Sequence, residues 1–475
     1  MVRKWVGGAV AVALVAMAGT GWLVVQRQAR VVLEQGVAQF RERLGPGTQF
    51  SYVSATPSVL HRDARFAGVR IAGRDSTVTA DTVVTGCDAA SVCSGTADGV
   101  RLDAKGGGGV GWTIDHVGWT NLAAPSGSGS LDSPGAALDL ALGTRFDAAE
   151  IRGVRMTGGP GEMTIAAVGM TGYGTGRRGQ GTLDAMAVSI PDPTLAAGTA
   201  TGAGPGPTEG SGAQGAIRLR VGHSVYDGMD VAAIVAALRA GAAMPPVQQG
   251  QQTQEVTDLD VARGEAVLLH VRRLASVGDT LASGAVHGVL DATDMRFGDT
   301  EPSLHRFGYE RFAGDLHLDG TFDRATGELA IGMLRVAGPG MGQASLSGGF
   351  GHVPLVGATV AAPDPAAMLG LTLRGLDLVL VDGGLMQHVL DEKAKESGTD
   401  AGRLRDTVAQ QIGAMPMSSD AGKSVRAALA AFVRAPGTLT LGAHPATPLT
   451  VADMAQLAGG PDAVIGSLNL TAAAK

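Results

Sequence analysis

Apolar residues near the N-terminal end recur at helical spacing and then give way to a period of two. Between Gln26 and Leu44 they fall on one helical stripe, and the sequence GPG ends the pattern. From Thr48 to about Ile190, short runs alternate apolar and polar residues, and Gly, Asp or Pro interrupts them roughly every eight to twelve residues. The first pattern predicts an amphipathic helix, and the second predicts antiparallel strands. The helical stripe consists of Leu33, Val37, Phe40 and Leu44.

A change in composition separates two β-rich segments. Residues 194–216 are mostly Gly, Pro, Ala and Thr and have no hydrophobic period, which is typical of a linker or a long loop. The chain is therefore predicted to have four parts. Residues 1–26 form a transmembrane anchor or a signal peptide, residues 27–193 a helix and a β-rich domain, residues 194–216 the linker or loop, and residues 217–475 a β-rich domain with C-terminal helices.

The clearest strand pattern lies between residues 316 and 380. A turn with the sequence DRATG separates two alternating runs and predicts a hairpin. Further along, the phase of the leucines changes at Gly375, which predicts a β-bulge or a bend. The inward residues of these strands would contact lipid if the sheet keeps an apolar face open, and would form an ordinary core if it closes. They are Leu316, Leu318, Phe322, Leu329, Ile331, Met333, Leu376, Leu378 and Leu380.

Helical spacing returns in the C-terminal part of the chain. In the segment SSDAGKSVRAALAAFVRAPG, a serine is placed to cap a helix whose stripe contains Val425, Leu429 and Phe432. The fold class predicted from all these patterns is α+β and β-rich. An N-terminal transmembrane helix would be followed by long antiparallel β-sheet segments in meanders and hairpins, and by a C-terminal cluster of short helices.

The N-terminal 25 residues contain a long apolar run. Trp5 to Val25 has no charged residue across 21 positions and follows Arg3 and Lys4. At about 1.5 Å per residue this run would span about 31 Å, enough to cross a bilayer. A cleaved signal peptide is the alternative, because residues 16–18 have the small-x-small pattern of a cleavage site. The expected localisation is the bacterial inner membrane, crossed once, with the bulk of the chain in the periplasm.

Charge and cysteine content restrict the partners and the compartment. A net charge of −7 argues against nucleic acid, because phosphate binding requires a basic face. Cys87 and Cys93 are the only cysteines of the chain. A structural disulfide between them suits an exported protein, and two free thiols are the alternative. A zinc site would require further ligands nearby.

The stretch from Asp377 to Ser397 is the densest in chemically active side chains. His388 and Glu392 lie four residues apart and could share a metal on one helical face, but the second histidine of an H-E-x-x-H motif is missing. A solvent-exposed helical face explains these residues better. The GTGRRG segment at residues 174–179 is followed by a strand-like run, whereas a pyrophosphate site would require a helix there. We therefore predict no catalytic residue, no metal site and no cofactor.

Three stretches resemble bacterial envelope proteins of the AsmA-like and YdgA-like kind, which have one inner-membrane anchor and a long β-rich body. The first is the helix and strand entry "VVLEQGVAQFRERLGPGTQFSYVSATPSVLHRDARFAGVRI", and the second is "FDRATGELAIGMLRVAGPGMGQASLSGGF". The third extends from "LDLVLVDGGLMQHVLDEKAKESG" to "FVRAPGTLTLGAHPATPLT". The resemblance implies a role in envelope integrity or lipid handling and offers no catalytic residue to carry over.

Two kinds of function follow from these expectations, and neither is enzymatic. In the first, an open apolar sheet face binds lipid. In the second, the protein is a tethered scaffold or interaction module with a closed core and no lipid ligand. The expected partners are the inner membrane, through residues 5–25, and either phospholipid or another envelope protein, without nucleic acid.

Overall fold

A computed structural model describes most of the chain from residue 29 onward, and its contacts divide the chain into two compact units. The first unit comprises Met1–Gln248 with Ala262–Glu265, and the second comprises Gln249–Val261 with Ala266–Lys475. The described residues are 29–44, 47–58, 63–73, 76–88, 92–104, 111–123, 143–158, 161–192, 216–240, 249–298, 309, 311–353, 370–455 and 461–475.

The predicted fold class is wrong in its N-terminal element. The first described helix, α1 (Ala29–Leu44), has 16 residues, and its sequence includes Glu34, Arg41 and Glu42. About 24 Å of charged helix is too short and too polar for a bilayer. Across the described ranges, no helix has both the length and the apolar character needed to cross a membrane, and Trp5–Val25 lies outside them. The transmembrane helix and the inner-membrane localisation derived from it are corrected accordingly.

Strands account for 61% of the described residues, so this part of the chain is more strongly β than the predicted α+β class. The first unit contains ten of them, and α2 (Val231–Arg239) follows the last. The strands are β1 (Gln49–Ser51), β2 (Ser54–Ser58), β3 (Asp63–Ala72), β4 (Ser76–Cys87), β5 (Val92–Ala104), β6 (Gly111–Ala123), β7 (Phe146–Thr157), β8 (Glu162–Tyr173), β9 (Gly179–Pro191) and β10 (Ala216–Met229).

The strands of the first unit form an antiparallel meander. β3 pairs with β1, β2 and β4, and from β4 onward each strand pairs with the next one as far as β10. β9 and β10 pair directly although the predicted linker lies between them in the chain. Residues 194–215 of that linker lie outside the described residues, and the predicted domain boundary there remains a prediction.

Helix α1 covers one end of this meander and closes its core. The predicted stripe is confirmed, because its four residues are at most 6% exposed. The ring of Phe40 packs edge-on against Phe50 of β1, with 4.9 Å between centroids. Beneath the helix, Val69, Val83 and Val100 are at most 2% exposed. This tightly buried cluster supplies the hydrophobic stabilisation of the first unit.

The second unit repeats the antiparallel pattern and adds short helices. Its first strand is β11 (Gln252–Arg263), and its helices are α3 (Leu385–Ser397), α4 (Ala401–Gly413), α5 (Asp420–Arg434), α6 (Val451–Ala455) and α7 (Pro461–Ser467). The remaining strands are β12 (Ala266–Thr280), β13 (Val286–Phe297), β14 (Phe312–Asp323), β15 (Glu328–Gly338), β16 (Gly342–Gly351), β17 (Thr372–Asp382), β18 (Thr438–Ala443), β19 (Leu449–Thr450) and β20 (Leu470–Ala474).

Consecutive pairing extends from β12 to β18 in this unit. β20 then pairs with β18, and β19 pairs with the start of β17. The predicted DRATG hairpin is confirmed by the pairing of β14 with β15. The predicted bulge at Gly375 is also confirmed. Gly349 pairs with Gly375, but the next residue, Phe350, pairs with Leu373, which leaves Arg374 as the extra residue.

The two cysteines form a disulfide at the end of a hairpin. Cys87 of β4 and Cys93 of β5 occupy directly paired positions, and their sulfur atoms lie 2.06 Å apart. Both side chains are buried, at 6% and 1% exposure. The bridge therefore closes the short loop between the two strands at the edge of the first core.

We expect thiol labelling to detect this bridge. In the unreduced, denatured protein neither cysteine should react, and after reduction both should. Because the bridge restricts the unfolded chain, replacing both cysteines by serine should lower the free energy of unfolding by about 2 kcal/mol. Labelling of both cysteines before reduction would contradict the bridge.

Ala185 in β9 has a left-handed backbone conformation, with φ of 48°. This conformation costs an L-residue about 1 kcal/mol or more, and glycine adopts it freely. Ala185→Gly should therefore raise the free energy of unfolding by about 1 kcal/mol, measured by urea denaturation. Ala187→Gly in the same strand is the matched control and should lower it by about 0.5–1 kcal/mol. Equal losses from both substitutions would show that Ala185 is not strained.

Candidate functional site

One face of the second unit carries apolar side chains aligned in rows across the strands. Residues that pair directly between antiparallel strands place their side chains on the same face of the sheet. At one level, six consecutive strands from β13 to β18 each contribute a leucine to this face. This leucine row consists of Leu290, Leu318, Leu334, Leu346, Leu378 and Leu441.

A second apolar row crosses the same face four residues away along the β13 and β14 strands. It contains two phenylalanines and is called the phenylalanine row here. At about 4.8 Å per strand, the leucine row extends about 24 Å across the sheet. The phenylalanine row consists of Val286, Phe322, Leu329, Phe350 and Leu373.

Eight of the nine residues predicted to face a lipid lie on this face. Met333 does not, because it pairs with Asp319 while Ile331 pairs with Gly320, so the register shifts at Gly332. The shift turns Met333 to the opposite face, where it is 43% exposed. The eight residues that share the apolar face are Leu316, Leu318, Phe322, Leu329, Ile331, Leu376, Leu378 and Leu380.

The sequence interpretation missed Leu334, which lies next to Met333 and belongs to the leucine row. The signal was present in the segment AIGMLRV, because the phase of its apolar residues changes at a glycine in the same way as at Gly375. Leu290, Leu346 and Leu441 were missed for another reason. Their rows become visible only when the pairing partners of their strands are known.

The apolar rows are only half-buried among the described residues. Every member of the leucine row retains intermediate exposure, in contrast to Val83 and Val100 in the core of the first unit. Helix α5 covers one end of the face, where Ala428 and Phe432 pack with Leu439 of β18. The helix-to-strand packing of α5 involves β18 and β20. Among the described residues, the part of the face on β12–β16 is therefore the more open part.

The opposite face of the same strands is polar. Its histidines lie beside carboxylates of neighbouring strands: His317 Nδ1 is 2.7 Å from Asp291 Oδ1, and His287 Nε2 is 2.9 Å from Asp319 Oδ1. These side chains are about one quarter to one half exposed. The sheet therefore has one water-facing surface and one apolar surface. Within the described ranges, no group of three or more His, Cys, Asp or Glu side chains could hold a metal ion.

The stretch from Asp377 to Ser397, which is the densest in chemically active side chains, forms the end of β17 and an exposed face of α3. The carboxylate of Asp382 accepts hydrogen bonds from the N–H groups of Gly384 and Met386, at 3.1 and 2.9 Å, and so caps α3. His388 is exposed, and its ring lies against Tyr309, with 4.8 Å between centroids. Glu392 pairs with Lys395 at 3.0 Å. The arrangement holds a helix end and does not assemble reactive groups.

Asp462 joins α7 to the start of α5, the helix that covers the apolar face. Its carboxylate accepts hydrogen bonds from the Ser418 N–H at 2.6 Å and from the hydroxyls of Ser418 and Ser419 at 2.7 Å. These hydrogen bonds hold the pKa of Asp462 well below its ordinary value, and the bond from the Ser418 N–H contributes most. Ser419 also caps α5 by accepting from the Gly422 N–H.

Comparison with known proteins adds little to these observations. A family model described only as "Uncharacterized protein" matches residues 335–475, less than a third of the chain. The match begins within β15 and includes α5, the helix that covers one end of the apolar face. The comparison with curated proteins gives no match.

We expect Asp462→Asn to loosen α7. The ionised carboxylate has a lowered pKa in the folded protein, so its contribution to stability is present above the ordinary aspartate pKa of about 3.9 and is lost as the pH falls further. Hydrogen exchange in α7 should be faster in the variant than in the wild type at pH 7, and the difference should shrink below about pH 4. Asp406→Asn, at an exposed position of α4, is the control and should show no change. A difference between Asp462→Asn and the wild type that is as large at pH 2 as at pH 7 would contradict this assignment.

Proposed function

We propose that the protein binds lipid, with acyl chains lying against the apolar face of β12–β17. The observation that carries the proposal is the leucine row, in which six strands place a leucine at one level while all six remain half-buried. A contiguous apolar surface left accessible to water is uncommon in a soluble protein and marks a binding surface. The resemblance to AsmA-like proteins agrees with a lipid as the ligand.

Hydrophobic burial would provide the affinity. Each methylene group of an acyl chain that moves from water to an apolar surface contributes about 0.8 kcal/mol. The rows offer side chains of one chemical kind over about 24 Å, without a charged residue among them. Such a surface suits a long hydrocarbon ligand better than a polar ligand. An interaction module with a closed core, which binds no lipid, is the alternative that the following experiment would reveal.

The proposal predicts that lipid binding depends on the leucine row. The full chain, purified without detergent, should carry stoichiometric lipid that is extractable by organic solvent and identifiable by mass spectrometry. It should also bind a fluorescent phospholipid. Leu318→Gln combined with Leu346→Gln places two amides on the apolar face and should weaken that binding at least about tenfold, because a tenfold change requires only about 1.4 kcal/mol.

Met333→Gln is the control, because Met333 lies one residue from Leu334 but on the polar face. It should leave phospholipid binding unchanged. Unfolding curves of all variants would show whether the fold survives the substitutions. A wild-type protein without lipid above the level of a mock purification, and without affinity for the fluorescent phospholipid, would overturn the proposal and favour the interaction module.

A further inference from the structure

Strand β20 forms an edge of the sheet in the second unit. One side of it pairs with β18, and among the described residues no strand pairs with its other side. An exposed strand edge presents a row of unpaired N–H and C=O groups, and these groups can pair with a strand of another chain. The edge of β20 is therefore a candidate interaction surface.

The hydrogen bonds to β18 show which backbone groups of β20 point outward. Lys475, directly after the strand, exchanges both backbone hydrogen bonds with Thr438, each at 2.9 Å. Hydrogen-bonded positions of an antiparallel pair alternate with positions whose backbone groups point away from the neighbouring strand. Leu470, Ala472 and Ala474 occupy positions of the second kind. Their N–H and C=O groups have no hydrogen-bond partner in the part of the chain that the structure describes.

This edge lacks the features that usually prevent pairing between chains. Proteins protect a strand edge with proline, with charged side chains or with a bulge. In the first unit, β2 pairs only with β3 among the described residues, and it contains Pro57, which has no N–H to donate. The residues of β20 are leucine, threonine and three alanines, and its pairing with β18 has no register shift. A second backbone can approach such a strand closely.

Packing on one face holds β20 in place. Ala472 and Ala474 pack against the cluster that contains Ala428 and Phe432 of α5. Side chains stand roughly perpendicular to a sheet, whereas the hydrogen bonds between strands lie within the sheet. Helix α5 therefore orders the strand but does not pair with its outward N–H and C=O groups.

We propose that β20 pairs with β20 of a second copy of this chain, antiparallel and about a two-fold axis at Ala472. The three outward residues are symmetric about Ala472, so each of them meets an outward residue of the other copy. Ala472 pairs with Ala472 of the second copy, and Leu470 pairs with Ala474. Each of these pairs exchanges two hydrogen bonds, which satisfies every outward N–H and C=O group of the strand.

The side chains of two copies also fit one another in this register. On the face that α5 covers, Leu470 lies beside Ala474 of the second copy, so a large side chain meets a small one. On the opposite face, the exposed Thr471 lies beside the exposed Ala473 of the second copy. Because β20 contains no charged residue, the pairing brings no like charges together. The strand complements its own sequence, which favours a second copy as the occupant of the edge.

We expect a reversible dimer. Two short strands bury little surface, and interfaces below about 1,200 Å² belong to weak or transient complexes. Analytical ultracentrifugation of the full chain should therefore show a dimer whose fraction rises with protein concentration. This measurement requires no lipid, so its outcome is independent of the proposed lipid binding.

Ala472→Pro tests the pairing at the two-fold axis, because it removes the central outward N–H. This N–H points away from β18, so proline leaves the hydrogen bonds between β18 and β20 in place. The substitution should weaken dimerisation at least about tenfold, which corresponds to about 1.4 kcal/mol.

A pair of double variants tests the register. Thr471→Lys with Ala473→Lys places like charges opposite each other across the axis and should also weaken dimerisation. Thr471→Lys with Ala473→Glu is the matched control, because it places opposite charges at the same positions. This control should dimerise at least as tightly as the wild type.

Unfolding curves of all variants would show whether each one folds, and the two double variants decide the question if Ala472→Pro does not. A full chain that stays monomeric at every concentration would overturn the second copy as the occupant and leave the edge to an extended segment of another protein. A dimer that none of these substitutions weakens would place the interface elsewhere and overturn the proposal. Equal weakening by the two double variants would contradict the two-fold register at Ala472.

Discussion

In both units of this protein, directly paired residues on neighbouring antiparallel strands place their side chains on the same face, and the apolar ones stay in register across many strands. In the first unit one such row crosses six strands from β5 to β10. In the second unit the leucine row does the same from β13 to β18. A slip of one residue in any pair would turn that strand's apolar residues to the polar face. The row of the first unit consists of Val100, Ile114, Val154, Ile165, Met186 and Val221.

The units differ in how much of the apolar face a helix covers. In the first unit Val37 and Phe40 of α1 belong to a closed core whose residues on β1–β6 are almost free of exposure. Further along the same row, Ile165 and Met186 are half-buried. In the second unit α5 packs on β18 and β20, while the described rows on β12–β16 stay half-buried. A ligand that binds to the less covered rows would remove their apolar surface from water, and this burial would favour binding.

Much of the local structure could be predicted from the sequence because it depends on neighbouring residues. The α1 stripe, the DRATG hairpin and the bulge at Gly375 each have their cause within a few positions of the chain. Met333 was assigned to the wrong face because the register shift at Gly332 breaks a strict period of two. The predicted transmembrane helix rested on the length and apolarity of residues 5–25, which lie outside the described residues. No helix among the described residues is long and apolar enough to cross a membrane.

The candidate site itself was only partly predictable. A leucine row is a property of six strands together, and Leu290 and Leu441 lie far apart in the chain although one row contains both.

The most direct test of the open apolar face is NMR of leucine methyl groups in the presence of a fatty acid with a spin label near its methyl end. A bound chain should broaden the methyl signals of Leu290, Leu318 and Leu334, because unpaired electrons relax nearby protons. Leu44, buried at 1% exposure beneath α1, should be unaffected. Equal broadening of all leucines, or none at the leucine row, would contradict a lipid-binding face on these strands.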